Sequence, residues 1–281
     1  MTRNTQEADF WSGPAGSQWI EHEAEQDWFL SEVATAVLEK ANPRPGARVL
    51  DIGCGTGAVS LLCADAVGVD GFVLATDIAA PFVERVRARA AHLPQVSTHL
   101  GDAQSASWPV AAFDLALSRF GVMFFSDPSA AFANIARAMR SGGRMVFAAW
   151  GPVSANPYWQ IPRDLVDEIY GPQERSAPNS PGPMGLADAN WAVAQFKAAG
   201  LTDLAFETRQ IHLLHNGGAA GVASLGLRIG SAARAMMVAK ASDEEIEVFR
   251  AKSALAYGPF EAEDGIARVP ATIHLYTART G

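Results

Sequence analysis

The 281-residue sequence holds only two cysteines, Cys54 and Cys63, nine positions apart. So few thiols argue against a disulfide framework, and the cytosol is the compartment expected of such a chain. No run of about 18 apolar residues occurs, so no membrane-spanning helix is expected. The opening residues Met1-Thr2-Arg3-Asn4-Thr5-Gln6-Glu7 lack the apolar stretch of a secretory signal. Basic charge is also short: 22 Lys and Arg face 30 Asp and Glu, giving a formal net charge of −8. That balance leaves no electrostatic footprint for nucleic acid or an anionic membrane. A small-molecule partner fits it better. Internal repeats and low-complexity tails are absent too.

The residues present are 49% hydrophobic, enough for one large α/β domain with insertions or for two small domains. From Gly13 to Lys40 the chain reads as helical, stopped by Asn42-Pro43-Arg44-Pro45-Gly46. Short apolar strands then alternate with helical runs. Strands are expected at Arg48–Ile52, Phe72–Thr76, Val96–Leu100, Phe113–Ser118 and Arg144–Trp150. Helices are expected at Ala58–Ala66, Pro81–Ala91 and Ser129–Met139, the last ended by Ser141-Gly142-Gly143. This alternation predicts a doubly wound, mostly parallel sheet covered on both faces.

After Trp150 the regularity fails. Residues 151–184 carry many prolines and glycines and read as irregular, with one short helix around Asp164–Tyr170. Beyond them lie a helix at Trp191–Ala199, a strand at Asp203–Leu214, helical sequence over Ser224–Tyr257 broken near Ser242-Asp243, and a strand at Ile266–Thr277.

The segment Val49-Leu50-Asp51-Ile52-Gly53-Cys54-Gly55-Thr56-Gly57 joins the first strand to a glycine loop and a helix. Such a loop cradles a ligand at the strand's carboxyl end, because glycine permits positive φ and close approach. The glycines alone fit a dinucleotide as well, since Gly53-x-Gly55-x-x-Ala58 satisfies the looser nucleotide pattern. Asp51 tips the balance. A carboxylate there repels a pyrophosphate but suits S-adenosylmethionine (SAM), which carries an ammonium and a sulfonium and no phosphate. Asp77 ends the second strand, where an acid can accept hydrogen bonds from a ribose diol. Asp102 follows the third strand, where an acceptor could meet the exocyclic amine of adenine. Turn formation or helix capping is the plainer role for either acid.

With these residues the chain resembles the class I SAM-dependent methyltransferases over Arg48 to Trp150. Its nearest likeness is the bacterial small-molecule group that includes the ubiquinone and menaquinone C-methyltransferases, to which Trp11-Ser12-Gly13-Pro14-Ala15-Gly16 with Trp19 is also similar. Ser141 stands where that family more often has proline. The resemblance implies a seven-stranded, Rossmann-like methyltransferase sheet whose last strand runs antiparallel. It also implies SAM as cofactor, S-adenosylhomocysteine as product, and transfer of a methyl group to a small molecule. The expected cofactor residues are Trp19, Asp51, Gly53, Cys54, Gly55, Thr56, Gly57, Asp77, Ile78, Asp102, Ala103, Gln104 and Ser118. An NAD(P)-dependent oxidoreductase and a non-catalytic SAM-binding protein are the competing readings.

Segment 1–46 is then an N-terminal helical lid and 47–150 the SAM-binding core. Segment 151–187 is a substrate-side insertion, and 188–281 completes the core around a helical cap at about 215–265. The apolar stretch after the fourth strand supplies a pocket wall through Arg119, Phe120, Met123 and Phe124. Methyl transfer is an in-line displacement that needs positioning more than a catalytic triad. His22 is the first candidate base, and Arg119 could hold an anionic group. His212 and His215 lie three apart, on opposite faces of a strand, so no metal site is expected.

Overall fold

The computed structural model describes residues 4–230, 232, 233, 236 and 239–281. Its first helices are α1 (Thr5–Ser12), α2 (Pro14–Glu21), α3 (Glu23–Phe29) and α4 (Ser31–Ala41). The helical region expected from Gly13 to Lys40 is present as short helices, preceded by α1 from Thr5. Gly13 is extended, and His22 and Leu30 break the later junctions.

The core alternates as its sequence pattern predicts: β1 (Arg48–Ile52), α5 (Ala58–Val67), β2 (Phe72–Asp77), α6 (Ala80–Arg89), β3 (Val96–Leu100), β4 (Phe113–Arg119), α7 (Pro128–Ala138) and β5 (Met139–Trp150). Then come α8 (Pro157–Tyr170), α9 (Ala189–Ala198), β6 (Thr202–His215), α10 (Gly218–Ile229), α11 (Asp243–Tyr257) and β7 (Ala267–Arg279). One seven-stranded sheet runs β3-β2-β1-β4-β5-β7-β6. β7 is antiparallel to both neighbours and the other pairs are parallel. Central strands are apolar along their length because both faces are covered; Val49, Leu50, Leu117 and Val146 are fully buried. The edge strand β6 alternates instead, and its outer half is exposed.

Two expectations need correction. The helix α7 stops at Ala138, and β5 already counts Met139, which pairs with Phe113. Gly142 (φ 72°) therefore shapes the start of a strand, not a helix end. The supposedly irregular segment after β5 contains a 14-residue helix, α8, beginning at Pro157. Proline suits that first turn, where no N–H is needed. Pro162 would ordinarily break a helix by leaving the carbonyl four residues back unpaired. That carbonyl, on Tyr158, instead accepts a hydrogen bond from the Tyr257 hydroxyl at 3.3 Å. The break expected near Ser242-Asp243 in the helical run over Ser224–Tyr257 is present: α11 starts there with a Ser242–Glu245 capping box, and α10 precedes it; residues 231, 234, 235, 237 and 238 of that run, like residues 1–3, lie outside the described set.

Asn156 ties the chain after β5 to β7. Its buried amide donates to the carbonyls of Gly151, Pro152 and Thr272, at 3.2, 3.0 and 3.1 Å, and accepts from the Thr272 N–H at 2.9 Å. Asn156→Ala removes all four bonds and leaves the Thr272 N–H without its partner, although the Thr272 and Pro152 carbonyls still accept from the Gly151 and Ala155 N–H groups. Each unsatisfied buried group costs about 1–3 kcal/mol, so a loss of roughly 2–4 kcal/mol in denaturant-measured stability is expected. A loss below about 0.5 kcal/mol would show that water replaces the amide.

Candidate functional site

Gly53, Gly55 and Gly57 take φ of 64°, 54° and 91°, which side chains other than glycine rarely adopt. Two of them have a second reason to be glycine. A Cβ on Gly53 would lie 2.6 Å from the Cα of Gly121, and one on Gly57 would meet Val86. The loop after β4 thus runs against the loop after β1, backbone to backbone. Ser118 fixes this contact: its hydroxyl donates to the Ile52 carbonyl at 2.6 Å and accepts from the Gly121 N–H at 3.0 Å. Gly121 was not among the expected residues, although a glycine two places beyond β4 was visible in the sequence.

Two carboxylates flank the loop. Asp51 accepts a 2.5 Å hydrogen bond from Ser60. Asp77 accepts from the Gly55 N–H at 2.9 Å and the Ala79 N–H at 3.0 Å. Burial pushes each carboxyl up to about 6 from its ordinary value of 3.8. For Asp51 the Ser60 bond and the charge of Arg119 oppose the rise; for Asp77 the backbone N–H groups of Ala79, Gly55 and Ile78 do. Buried acids with raised values, set in a cleft, are a recurrent mark of binding sites. A Cβ on Gly55 would meet no protein atom within 4 Å, so the loop opens onto free space.

That space is a cavity of about 1240 Å³. Single-ligand pockets are usually about 300–1,000 Å³, so there is room for a cofactor and a second molecule. Its walls include Trp19, Asp51, Gly53, Cys54, Gly55, Asp77, Ile78, Asp102 and Ala103 of the expected cofactor set. They also include the four expected pocket residues Arg119, Phe120, Met123 and Phe124. Thr56, Gly57, Gln104 and Ser118 stand behind the wall. Ser118 braces the loops, Gln104 accepts from the Ser126 hydroxyl and the Asp127 N–H, and the Thr56 carbonyl accepts from Arg89 at 3.0 Å.

The wall residues Asn4, Gln26 and Tyr158 had no signal in the sequence. Asn4 donates to Asp102 from its backbone N–H and its side-chain amide, at 3.2 and 3.3 Å. Gln26 and Tyr158 line the cavity from helices α3 and α8. Phe120 turns the chain with φ of 69° and stacks on Trp150 at 4.2 Å between ring centres. Trp11 meets Trp19, Phe82 and Phe124 edge-on or tilted, at 5.8–5.9 Å. The proline-rich stretch 176–184 completes one side, docked through the Gly182 N–H to the Met123 carbonyl at 3.1 Å.

His22 is not on the wall. Its Nδ1 lies 3.3 Å from Glu25, whose other oxygen is 2.8 Å from His215 Nε2. His215 Nδ1 accepts from the Gly217 N–H, which leaves Nε2 to donate to Glu25. The role expected of His22 as a base over the cofactor therefore fails on geometry. His212 faces Glu32, 3.6 Å away, so the two strand histidines serve different partners.

The helix α3 is tied to α6 and to the glycine loop by charge. Arg85 bonds Glu23, and Arg89 bonds Asp27 at 2.8 Å while reaching the Thr56 carbonyl.

Residues 49–143 match a methyltransferase domain family. The chain is 39% identical over 127 residues to nocamycin O-methyltransferase of Saccharothrix syringae, covering 44% of this chain and 45% of that protein. It is 33% identical over 117 residues to the ubiquinone/menaquinone biosynthesis C-methyltransferase of Burkholderia vietnamiensis, covering 41% and 48%. The matches span about half the length of these curated relatives. Among solved structures, phosphoethanolamine N-methyltransferase 2 of Haemonchus contortus shares the fold, with a TM-score of 0.59 and 16% identity over 97% of this chain and 59% of that one. Residues 49–143 are therefore a methyltransferase domain, related to those of the SAM-dependent methyltransferases.

Proposed function

We propose that this chain transfers the methyl group of SAM to a small molecule held in the same cavity. The observation that carries the reading is the pair of buried carboxylates, Asp51 and Asp77, on either side of a glycine loop that opens into a space larger than one ligand needs. SAM brings a methyl already bonded to a sulfonium leaving group. The chain must hold, orient and dry the reactants. Asp51 offers its carboxylate to the donor's ammonium, and Asp77 offers acceptor lone pairs to the ribose. Asp102, held by Asn4, lies where the adenine would end. Trp11, Trp19, Phe82 and Phe124 exclude water from that half.

The acceptor lies towards Phe29, Phe120, Trp150, Tyr158 and Trp159, so a planar, mostly apolar molecule fits. Among the described residues no histidine reaches the cavity wall. This favours a nucleophile acidic enough to ionise without a dedicated base, such as an enolic or phenolic oxygen. The name of the nocamycin O-methyltransferase is consistent with an oxygen acceptor. We place residues 1–46 as the lid, 151–187 as an acceptor-side wall and about 215–265 as the cap. No helix among the described residues is long and apolar enough to cross a membrane. With the net charge of −8 this supports a cytoplasmic enzyme acting on metabolites, not on nucleic acid.

Incubation with methyl-labelled SAM and a panel of aromatic enols and phenols should move label into the organic acceptor. SAM binding without any transfer across panel and metabolite extract would leave a binding protein instead. Asp77→Ala should weaken S-adenosylhomocysteine binding by about tenfold or more, as expected for loss of a hydrogen bond to a charged group, and still unfold cooperatively. Unchanged affinity in calorimetry would displace the ribose site.

The pH dependence follows from the raised carboxyls. Both acids ionise at about 6 in the fold and near 3.8 when unfolded. Between those values the folded chain keeps protons that the unfolded chain has released, so these two groups make the ligand-free protein less stable as pH rises from about 4 to 6. A cationic donor prefers the ionised form. Its affinity should therefore fall as pH drops through about 6, and Asp51→Asn should flatten that fall. A pH-independent affinity between 5 and 7.5 in wild type, measured by calorimetry at about those limits, would contradict the assignment.

A further inference from the structure

Arg119 is a buried cation with unused hydrogen-bonding capacity. Its side chain is 9% exposed, it ends β4, and it lies on the cavity wall. Its Nη1 is buried and has no hydrogen-bond partner. The guanidinium makes no hydrogen bond to any described residue; Asp27 Oδ1, itself buried and unpartnered, is 3.9 Å away. Buried arginines are ordinarily saturated, because an unsatisfied buried charge is costly. The unused fork of donors matches a carboxylate.

The register of the sheet says which carboxylate. On the parallel strands β1 and β4, Asp51 is paired with Leu117. Paired residues share a face, and so does the residue two further on, which is Arg119. Strands lie about 4.8 Å apart and rise about 3.3 Å per residue. The acid and the guanidinium thus project from adjacent strand ends on one side of the sheet, at the mouth of the glycine loop. Asp51 is also close enough for its charge to act on Arg119. One anion and one cation so placed complement a zwitterion whose two charges flank a single carbon.

We propose that Asp51 and Arg119 form a clamp for an α-amino-acid head group, Arg119 binding the carboxylate of the donor's methionine end while Asp51 takes its ammonium. The assignment rests on the SAM reading above. It makes Arg119 a donor-binding residue instead of an acceptor contact, and it accounts for an arginine that is buried without partners. Asp27, shared with Arg89, serves as the counter-charge that offsets the burial of Arg119.

The test compares SAM with decarboxylated SAM, which keeps the ammonium, sulfonium and nucleoside and lacks only the carboxylate. Dissociation constants for both are measured by calorimetry on wild type and Arg119→Leu. The preference for SAM over its decarboxylated form should shrink by about ten- to a hundredfold in Arg119→Leu, the range for a hydrogen bond to a charged group. The loss should fall on SAM alone, and unchanged affinity for the decarboxylated form reports an intact site. A preference that survives the substitution overturns the proposal, as does an equal loss for both ligands. An unchanged preference with a raised KM for the acceptor would move Arg119 to the acceptor side, which also overturns it. Wild type binding neither ligand would defeat the SAM reading itself, a separate result. If Arg119→Leu does not fold, Arg119→Lys is measured on the same preference; a partial drop is expected, and no change overturns the clamp.

Discussion

The site depends on two backbones touching. Gly53 and Gly121 meet where no side chain could stand, and the Ser118 hydroxyl bonds both loops. The contact falls between β1 and β4, where the strand order reverses direction. Open α/β sheets leave a crevice at that reversal because consecutive connections go to opposite sides. Here the two loops close the bottom of the crevice and aim Asp51 and Arg119 upward from neighbouring strands. A side chain larger than hydrogen at either glycine would push the loops apart and move both charges.

Above that floor the cavity is closed by elements far apart in sequence. The helix α3 is tied to α6 by Glu23 with Arg85 and by Asp27 with Arg89. Arg89 also holds the Thr56 carbonyl, so one arginine links α3 and the glycine loop. Glu25, on the other side of α3, receives His215 from the end of β6, and Arg228 of α10 stands 3.5 Å away. The helix α3 is thus tied to α6 on one side and to β6 and α10 on the other. The cavity sets two buried acids beside aromatic side chains, surroundings in which charge interactions are stronger than in water.

The parts legible in the sequence are those set by short spacing. The strand–loop–helix around Gly53–Gly57 and the acids closing β1 and β2 were readable, because a few adjacent residues determine each. The sheet could be read as well, since buried parallel strands are apolar throughout. What could not be read was set by distant partners. Nothing near Asn4 announces that it will bond Asp102, and nothing near Pro162 announces that Tyr257 will supply the missing hydrogen bond that lets α8 continue. His22 looked like a candidate base because its helix covers the cavity, yet the side chain faces Glu25. Arg119 was visible as a charge in an apolar stretch, but its burial beside Asp27 needs the three-dimensional packing.

The question that matters most is which ligand the glycine loop holds. Calorimetric titration of the whole chain with S-adenosylhomocysteine and, separately, with NADP answers it directly. The buried acids beside the loop predict saturable binding of S-adenosylhomocysteine at one site and none of NADP; saturable binding of NADP with no response to S-adenosylhomocysteine would contradict them.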